Sequence, residues 1–184
     1  MRDREAWWAR ASLAVSVALP LCLYIATAAP GPYWLDSGEL ATGAYLLGVP
    51  HPPGHPLYTA LVHPASLLPL GSIALRMNVM SGVFGALACG ALAWTCRRIL
   101  HHLGTPSPWG WIVGTLAALL AATSYAFWFQ SVRAEVYTLH LLVASVAVAL
   151  AVEMEVQTER PDGPDARLAY VLALVLGLGA ANHH

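Results

Sequence analysis

YWLDSGELATGAYLLGVPHPPGHPLY, residues 33–58, lies between two strongly apolar segments and is unlike either. It carries two carboxylates, Asp36 and Glu39. Two histidines follow, His51 and His55, in a turn built from Pro50, Pro52, Pro53, Gly54 and Pro56. Proline fixes φ and holds the backbone extended, while glycine permits a sharp turn, so this segment is a stiff mount for side chains. It reads as the first outer-face loop of a multi-pass membrane protein and the core of a site. An ordinary connecting loop is the plainer alternative.

Composition supports the membrane setting. Of 184 residues, 58% are hydrophobic and 10% charged, against about 25% charged in a soluble domain. The net charge of −1 excludes a basic nucleic-acid footprint. All nine cationic residues are arginine, the mark of a GC-rich genome, which points to a bacterial source. Cys22, Cys89 and Cys96 fall in apolar runs without metal-ligand or redox spacing and read as small packing residues.

The apolar runs predict an all-α polytopic bundle of about five transmembrane helices, over residues 11–29, 77–96, 111–129, 137–152 and 168–181, each judged against a hydrocarbon core of about 30 Å. The first is too long for a signal-peptide core and reads as a retained helix. Residues 56–70 are apolar but short and interrupted by Pro64 and Pro69; they read as a re-entrant or interfacial segment within an outer loop, 30–76. Trp7, Trp8, Trp109 and Trp111 mark interfaces, and Ser81, Gly82, Gly85, Ala86 and Gly90 suit close helix packing. Arg97 and Arg98 end the second span. The whole chain reads as a single transmembrane domain.

Arginine placement sets the orientation. With the N-terminus inside and residues 56–70 not crossing, seven arginines lie inside and only Arg76 and Arg133 outside. Letting that segment cross gives five against four. The first arrangement also places Asp36, Glu39 and Glu135 outside, with the HPPGH turn, the Arg133–Glu135 break and the terminal Asn182-His183-His184. Polar groups at three separate helix ends thus meet one membrane face.

Asp36 and Glu39, three residues apart, share a face if the segment is helical. Two such carboxylates can act as general base and orienting partner, or hold a divalent cation; helix capping would account for them equally. The prolines exclude a helical metal pair of His51 and His55. Glu135, with Arg133, Tyr137 and His140 nearby, is either functional or an Arg133-paired carboxylate at the interface. His63 reads as structural, and His101 and His102 carry no assignment.

DSGEL (36–40), LGVPHPPGHPLY (47–58), RMNVMSG (76–82), QSVRAEVYTLH (130–140) and GLGAANHH (177–184), in this order, resemble one family. It is a group of multi-pass membrane proteins long catalogued as a domain of unknown function, among them a human endoplasmic-reticulum protein O-mannosyltransferase acting on plexin-type receptors. The group is placed with the GT-C glycosyltransferases. The resemblance implies transfer of a sugar, mannose in that instance, from a polyprenyl-phosphate donor to a hydroxyl of a protein or glycan, with inversion. It implies Asp36 as catalytic base with Glu39 beside it, and a substrate-binding set of His51, His55, Arg133, Glu135, Tyr137, Asn182, His183 and His184. Among these, Arg133, His51, His183 and His184 are candidates to hold the departing phosphate. A divalent cation at Asp36 and Glu39 is the one cofactor considered. Arginine usage and placement together give the expectation of a bacterial inner-membrane protein with a cytoplasmic N-terminus and a periplasmic site.

Two features depart from the family pattern. Position 55 is His where an aromatic such as Tyr is expected. The last apolar run holds roughly 14 residues against about 20 needed to span, so the chain reads as an N-terminal fragment. A polytopic transporter or channel, or a non-catalytic membrane subunit, is the alternative; a transporter would place ionisable residues near its helix middles.

Overall fold

In the computed structural model, which describes residues 2–182, eight helices follow one another and no strand occurs among the described residues. They are α1 (Arg2–Thr27), α2 (Ser37–Leu46), α3 (Pro56–Ser66), α4 (Ile73–His102), α5 (Trp109–Thr123), α6 (Tyr125–Ser131), α7 (Val136–Gln157) and α8 (Ala166–Ala180). Three of them, α1, α4 and α7, are long and apolar enough to cross a membrane. A fourth crossing is available if α5 and α6 form one broken span. The 15-residue α8 is a shorter apolar helix, about 22 Å long at 1.5 Å per residue. The protein is therefore an all-helical integral membrane protein.

The centre of the bundle is α4. Its 30 residues give a rod of about 45 Å, and it packs against α1, α5 and α7 along its length and against α2, α3 and α6 at one end. Small residues make this possible. A Cβ at Gly85 would sit 2.5 Å from Ser131 Oγ, and one at Gly114 on α5 would sit 2.5 Å from the Ala93 carbonyl oxygen. Two buried clusters flank the rod: Leu40, Tyr58, Val62, Met77 and Leu139 toward the site end, and Tyr24, Ala86, Cys89, Ala118 and Ala122 between α1, α4 and α5.

Both ends of α4 are fastened. Ser72 caps its start, accepting from Leu75 N–H at 3.1 Å while its hydroxyl donates to Pro30 O at 2.9 Å. Arg76, in the first turn of α4 rather than in the loop expected over 30–76, donates to the carbonyls of Ser66, Leu68 and Ser72 and so holds the end of α3. At the other end the helix runs on past Arg97 and Arg98 to His102, so the arginines do not terminate it. Arg98 makes a two-pronged bond to Glu153 on α7 at 2.6 and 3.2 Å, and the Arg97 guanidinium stacks over Trp111 at 4.4 Å. Paired and stacked, these charges are compatible with continued helix.

The third expected span is broken. Instead of a single helix over 111–129, α5 and α6 meet at Ser124 with a bend of 71°. Ser124 is extended, and its hydroxyl donates to Ala121 O at 2.7 Å, competing with the helical ladder. The turned helix then hooks onto α1 through Trp128 Nε1, which donates to Thr27 Oγ1 at 3.0 Å. Residues 56–70 hold the 11-residue α3, outside the membrane-crossing set as expected.

Replacing Gly114 with Val is expected to destabilise the α4–α5 contact by about 1–3 kcal/mol, because the added atoms meet backbone. Thermal unfolding in detergent measures it. Gly177→Ala, where a Cβ meets nothing within 4 Å, should leave the midpoint unchanged.

Candidate functional site

The segment 29–36 begins the site. Ala29 N–H donates to Val132 O at 2.9 Å, joining the end of α1 to the break between α6 and α7. The chain then turns through Trp34 and Leu35, both left-handed with φ of 48° and 50°. Two bulky residues in that region mark a constrained turn. Its carbonyl at Trp34 is held twice, by Ser37 N–H at 3.4 Å and by Arg133 Nη1 at 3.2 Å. Trp34 and Leu35 are thereby thrown outward, 71% and 70% exposed, directly before Asp36.

Asp36 precedes α2 in the N-cap position, yet its side chain makes no capping bond. Glu39, in the first turn, is also not spent on capping. Its carboxylate reaches the proline turn, where His51 N–H donates to Oε1 at 2.6 Å and His51 Nδ1 lies 3.1 Å from Oε2. These hydrogen bonds hold the Glu39 carboxyl below the ordinary glutamate range. Asp36, Glu39 and His51 each bring a ligand atom to within 4.8 Å of the others, all on exposed side chains. Two carboxylates and an imidazole are a donor set suited to a divalent transition cation; Glu39 and His51 would have to release each other to bind one.

No helix passes through residues 51–55, and the rings of His51 and His55 meet edge to face at 5.4 Å. His55 is buried, left-handed, and caps α3. Its Nδ1–H donates to the carbonyl of Asn182 at 2.6 Å. The histidine found where an aromatic was expected therefore ties the proline turn to the end of α8. Asn182, also buried, donates from Nδ2 to Val136 O at 3.1 Å and so fastens α8 to the start of α7. His183 and His184 lie outside the described residues.

Between α6 and α7 the chain is non-helical over Val132–Glu135. Arg133 and Glu135 form an ion pair at 2.7 Å with side chains 1% and 3% exposed. Arg133 also donates to Gln130 Oε1 at 2.8 Å and lies over the Phe129 ring at 4.5 Å. Burial pushes the Glu135 carboxyl above its ordinary range, against the pull of Arg133. The backbone of this break is held from α4: Asn78 Oδ1 accepts from Ala134 N–H at 2.7 Å, and Ser81 Oγ accepts from Glu135 N–H at 3.1 Å.

These segments enclose one small cavity of about 70 Å³, lined by Asp36, Leu40, His51, Pro52, Pro53, His55, Glu135, Val136 and Tyr137. Of the residues singled out by sequence, the structure brings Asp36, His51, His55, Glu135 and Tyr137 to its walls. Glu39 stands behind His51, Arg133 behind Glu135, and Asn182 behind His55 and Val136. A second cavity of about 320 Å³, lined by Ser124, Ala126, Phe127, Gln130, Tyr137, Thr138 and Leu141, opens where the span is broken and shares Tyr137 with the first. His63 is structural, its Nδ1–H donating to Ala44 O at 2.9 Å. Asn78 and Gln130 went unassigned in the sequence, and Ser81 was read only as a small packing residue; polar side chains within otherwise apolar helices were the available signal.

The depressed Glu39 value fixes a pH test. Its contribution to holding the proline turn is complete above the ordinary glutamate pKa, about 4.3, and is lost as pH falls through the lower folded value. Protection of the His51 and Gly54 amides, taken relative to the intrinsic exchange rate at each pH, should therefore be high at neutral pH and fall only in acid. In Glu39→Gln it should be lowered at neutral pH.

Comparison with known proteins places the chain. The family described as Protein O-mannosyl-transferase TMEM260 N-terminal domain matches residues 36–184. The mouse (Mus musculus) protein named Protein O-mannosyl-transferase TMEM260 is 38% identical over 179 residues, covering 95% of this chain and 24% of its own. Its namesake from Dictyostelium discoideum is 27% identical over 175 residues, covering 88% and 20%. This chain thus spans about a quarter or less of the length of these relatives, both of them eukaryotic, and they lend no support to a bacterial source. No solved structure matches it. The match over four-fifths of the sequence shows that the chain belongs to the TMEM260 N-terminal domain family.

Proposed function

We propose that the chain is the membrane catalytic part of a glycosyltransferase of GT-C type. It would transfer a sugar, mannose by comparison with its relatives' names, from a polyprenyl-phosphate donor to a hydroxyl of a protein or glycan. The observation that carries this reading is the cavity that gathers Asp36, His51, His55 and Glu135 from separate stretches of chain. A carboxylate free of capping duty, facing imidazoles across a partly enclosed space, is what proton removal from a hydroxyl requires.

In this reading Asp36 takes the proton of the acceptor hydroxyl as its oxygen bonds to the anomeric carbon. The bond from that carbon to the phosphate oxygen breaks in the same displacement, and the polyprenyl phosphate leaves with the electron pair. Attack from the face opposite the leaving group inverts the anomeric centre. His51 and His55 are placed to stabilise charge on the departing phosphate. Arg133, committed to Glu135, Gln130 and the Trp34 carbonyl, acts by fixing the acidic wall. The adjoining 320 Å³ cavity at the broken span supports a lipid-borne donor, since it offers hydrocarbon room beside the polar site. The site cavity has room for about two waters at ~30 Å³ each, so a sugar ring enters only as the proline turn and α7 part.

The chain works as one domain in this reading, its site on the outer face opposite the end that holds Arg97 and Arg98 of α4 and Arg160 of the loop after α7. Arginine usage alone supports placing that face in a bacterial periplasm. A transporter or channel is disfavoured because the stretches 11–27, 77–96 and 136–152 carry no Asp, Glu, Lys or Arg.

The test uses the complete protein in lipid with labelled polyprenyl-phosphate mannose or glucose and a pool of secreted acceptors. Wild type should transfer label, and Asp36→Asn should lower the rate about 10²–10⁴-fold. Transfer undiminished in Asp36→Asn would remove Asp36 from the role of base. Transfer by neither protein, with other sugars failing too, would favour a non-catalytic subunit.

A further inference from the structure

The motif RMNVMSG, 76–82, touches no wall of the site cavity, yet its two uncharged polar residues hold both sides of it. Asn78 is wholly buried in the core of α4. Its Nδ2 donates to Ala29 O at 2.7 Å and to Gly31 O at 3.0 Å, and its Oδ1 accepts from Ala134 N–H at 2.7 Å. The orientation of the amide is fixed by its partners, since two carbonyls can only accept and a backbone N–H can only donate. Ser81, fully buried and three residues on, accepts from Glu135 N–H at 3.1 Å and donates to Glu135 O at 3.3 Å.

We infer that Asn78 and Ser81 are the positioning residues of this site, a clamp on α4 that sets the spacing between the irregular lead into Asp36 and the break that carries Arg133 and Glu135. Ala29 and Gly31 belong to the first segment and Ala134 to the second. Both are irregular backbone inside a membrane bundle, where unpaired peptide groups must find partners in protein. Among short side chains only an asparagine offers two donors and an acceptor at once. Aspartate keeps the acceptor and loses the donors; leucine loses all three. Besides the clamp, the two segments are joined by one backbone bond, Ala29 N–H to Val132 O, and by the Arg133 side chain reaching the Trp34 carbonyl, so loss of the clamp leaves their spacing to these two ties. A shift of about 1 Å in reacting groups can lower a rate about 10²-fold.

The catalytic consequence rests on the transfer reading above; the geometric claim does not, and the experiment separates them. Spin labels at Leu35→Cys and His140→Cys, on a background freed of Cys22, Cys89 and Cys96, report the separation of the two segments. A second pair, His102→Cys and Asp162→Cys, reports the opposite end of the bundle. In the complete protein in lipid nanodiscs, Asn78→Asp and Ser81→Ala should each broaden the first distance distribution and leave the second narrow. A narrow first distribution in both folded variants overturns the clamp, as does equal broadening at both ends, which would mark a general stabiliser. If Asn78→Asp does not fold, Ser81→Ala decides alone. Where wild type transfers sugar, Asn78→Asp should lower kcat about tenfold or more with the donor KM changed less than twofold; unchanged kcat would overturn the positioning role. Absence of transfer by wild type would remove the transfer reading and leave the distance result standing.

Discussion

Two charges buried together, Arg133 and Glu135, impose the strictest requirement on this fold. Their side chains are almost wholly shielded, and moving such groups out of water is unfavourable by several kcal/mol per ion unless partners surround them. The partners come from three directions. Gln130 and the Phe129 ring belong to the turned helix α6, the Trp34 carbonyl belongs to the lead into Asp36, and Ser81 holds the backbone of Glu135 from α4. Removing one charge would strand the other, at about 3–5 kcal/mol. The bend at Ser124, the strained turn at Trp34 and Leu35, and the polar pair on α4 each bring partners to the ion pair or its backbone, with Arg133 Nε left without a hydrogen bond.

The same arrangement explains how a mostly apolar bundle carries a polar site. Charges lie at the helix ends, with the long helix α4 separating two unlike regions. At one end, Arg98, Glu153 and Gln157 tie α4 to α7 through paired side chains. At the other, side chains bind backbone: Asn78, Ser81, Ser72, Arg76, His55 and Asn182 each reach a carbonyl or N–H of a non-neighbouring segment. Irregular chain at a membrane face is thereby kept in one conformation, as a site requires if its groups are to be preorganised. The broken span adds a cavity beside this region, with Tyr137 as the shared wall.

Much of this was legible in the sequence, and the limits are instructive. Apolar runs located α1, α4, α7 and α8, because burial in lipid is a property of composition over about twenty residues, but α1 begins nine residues before the expected span and α4 and α7 run five or six residues past theirs. Arginine placement put residues 56–70 outside the crossing set, and the proline turn announced itself by residue type. The bend at Ser124 was hidden, since one serine amid apolar residues reads as neutral until a partner such as Thr27 anchors the turned helix. Arg97 and Arg98 read as a stop because their partners, Glu153 and Trp111, are distant in sequence. His55 departs from the family pattern, and its reason is a distant one: its Nδ1–H donates a hydrogen bond to the Asn182 carbonyl. In each case the missing information was a long-range partner, which periodicity and composition do not encode. Where Asp36, Glu39, His51 and Glu135 stand relative to one another is a matter of those same partners.

In this arrangement polar segments from three parts of the chain share one membrane face. Single cysteines at Trp34, His51 and Tyr137, and at His102 and Asp162, in cysteine-free protein reconstituted in sealed vesicles, can be labelled with a membrane-impermeant maleimide from one side at a time. Positions 34, 51 and 137 should label together from one side, and 102 and 162 only from the other. Labelling of 137 from the side opposite to 34 and 51 would separate α7 from the acidic loop and contradict the account.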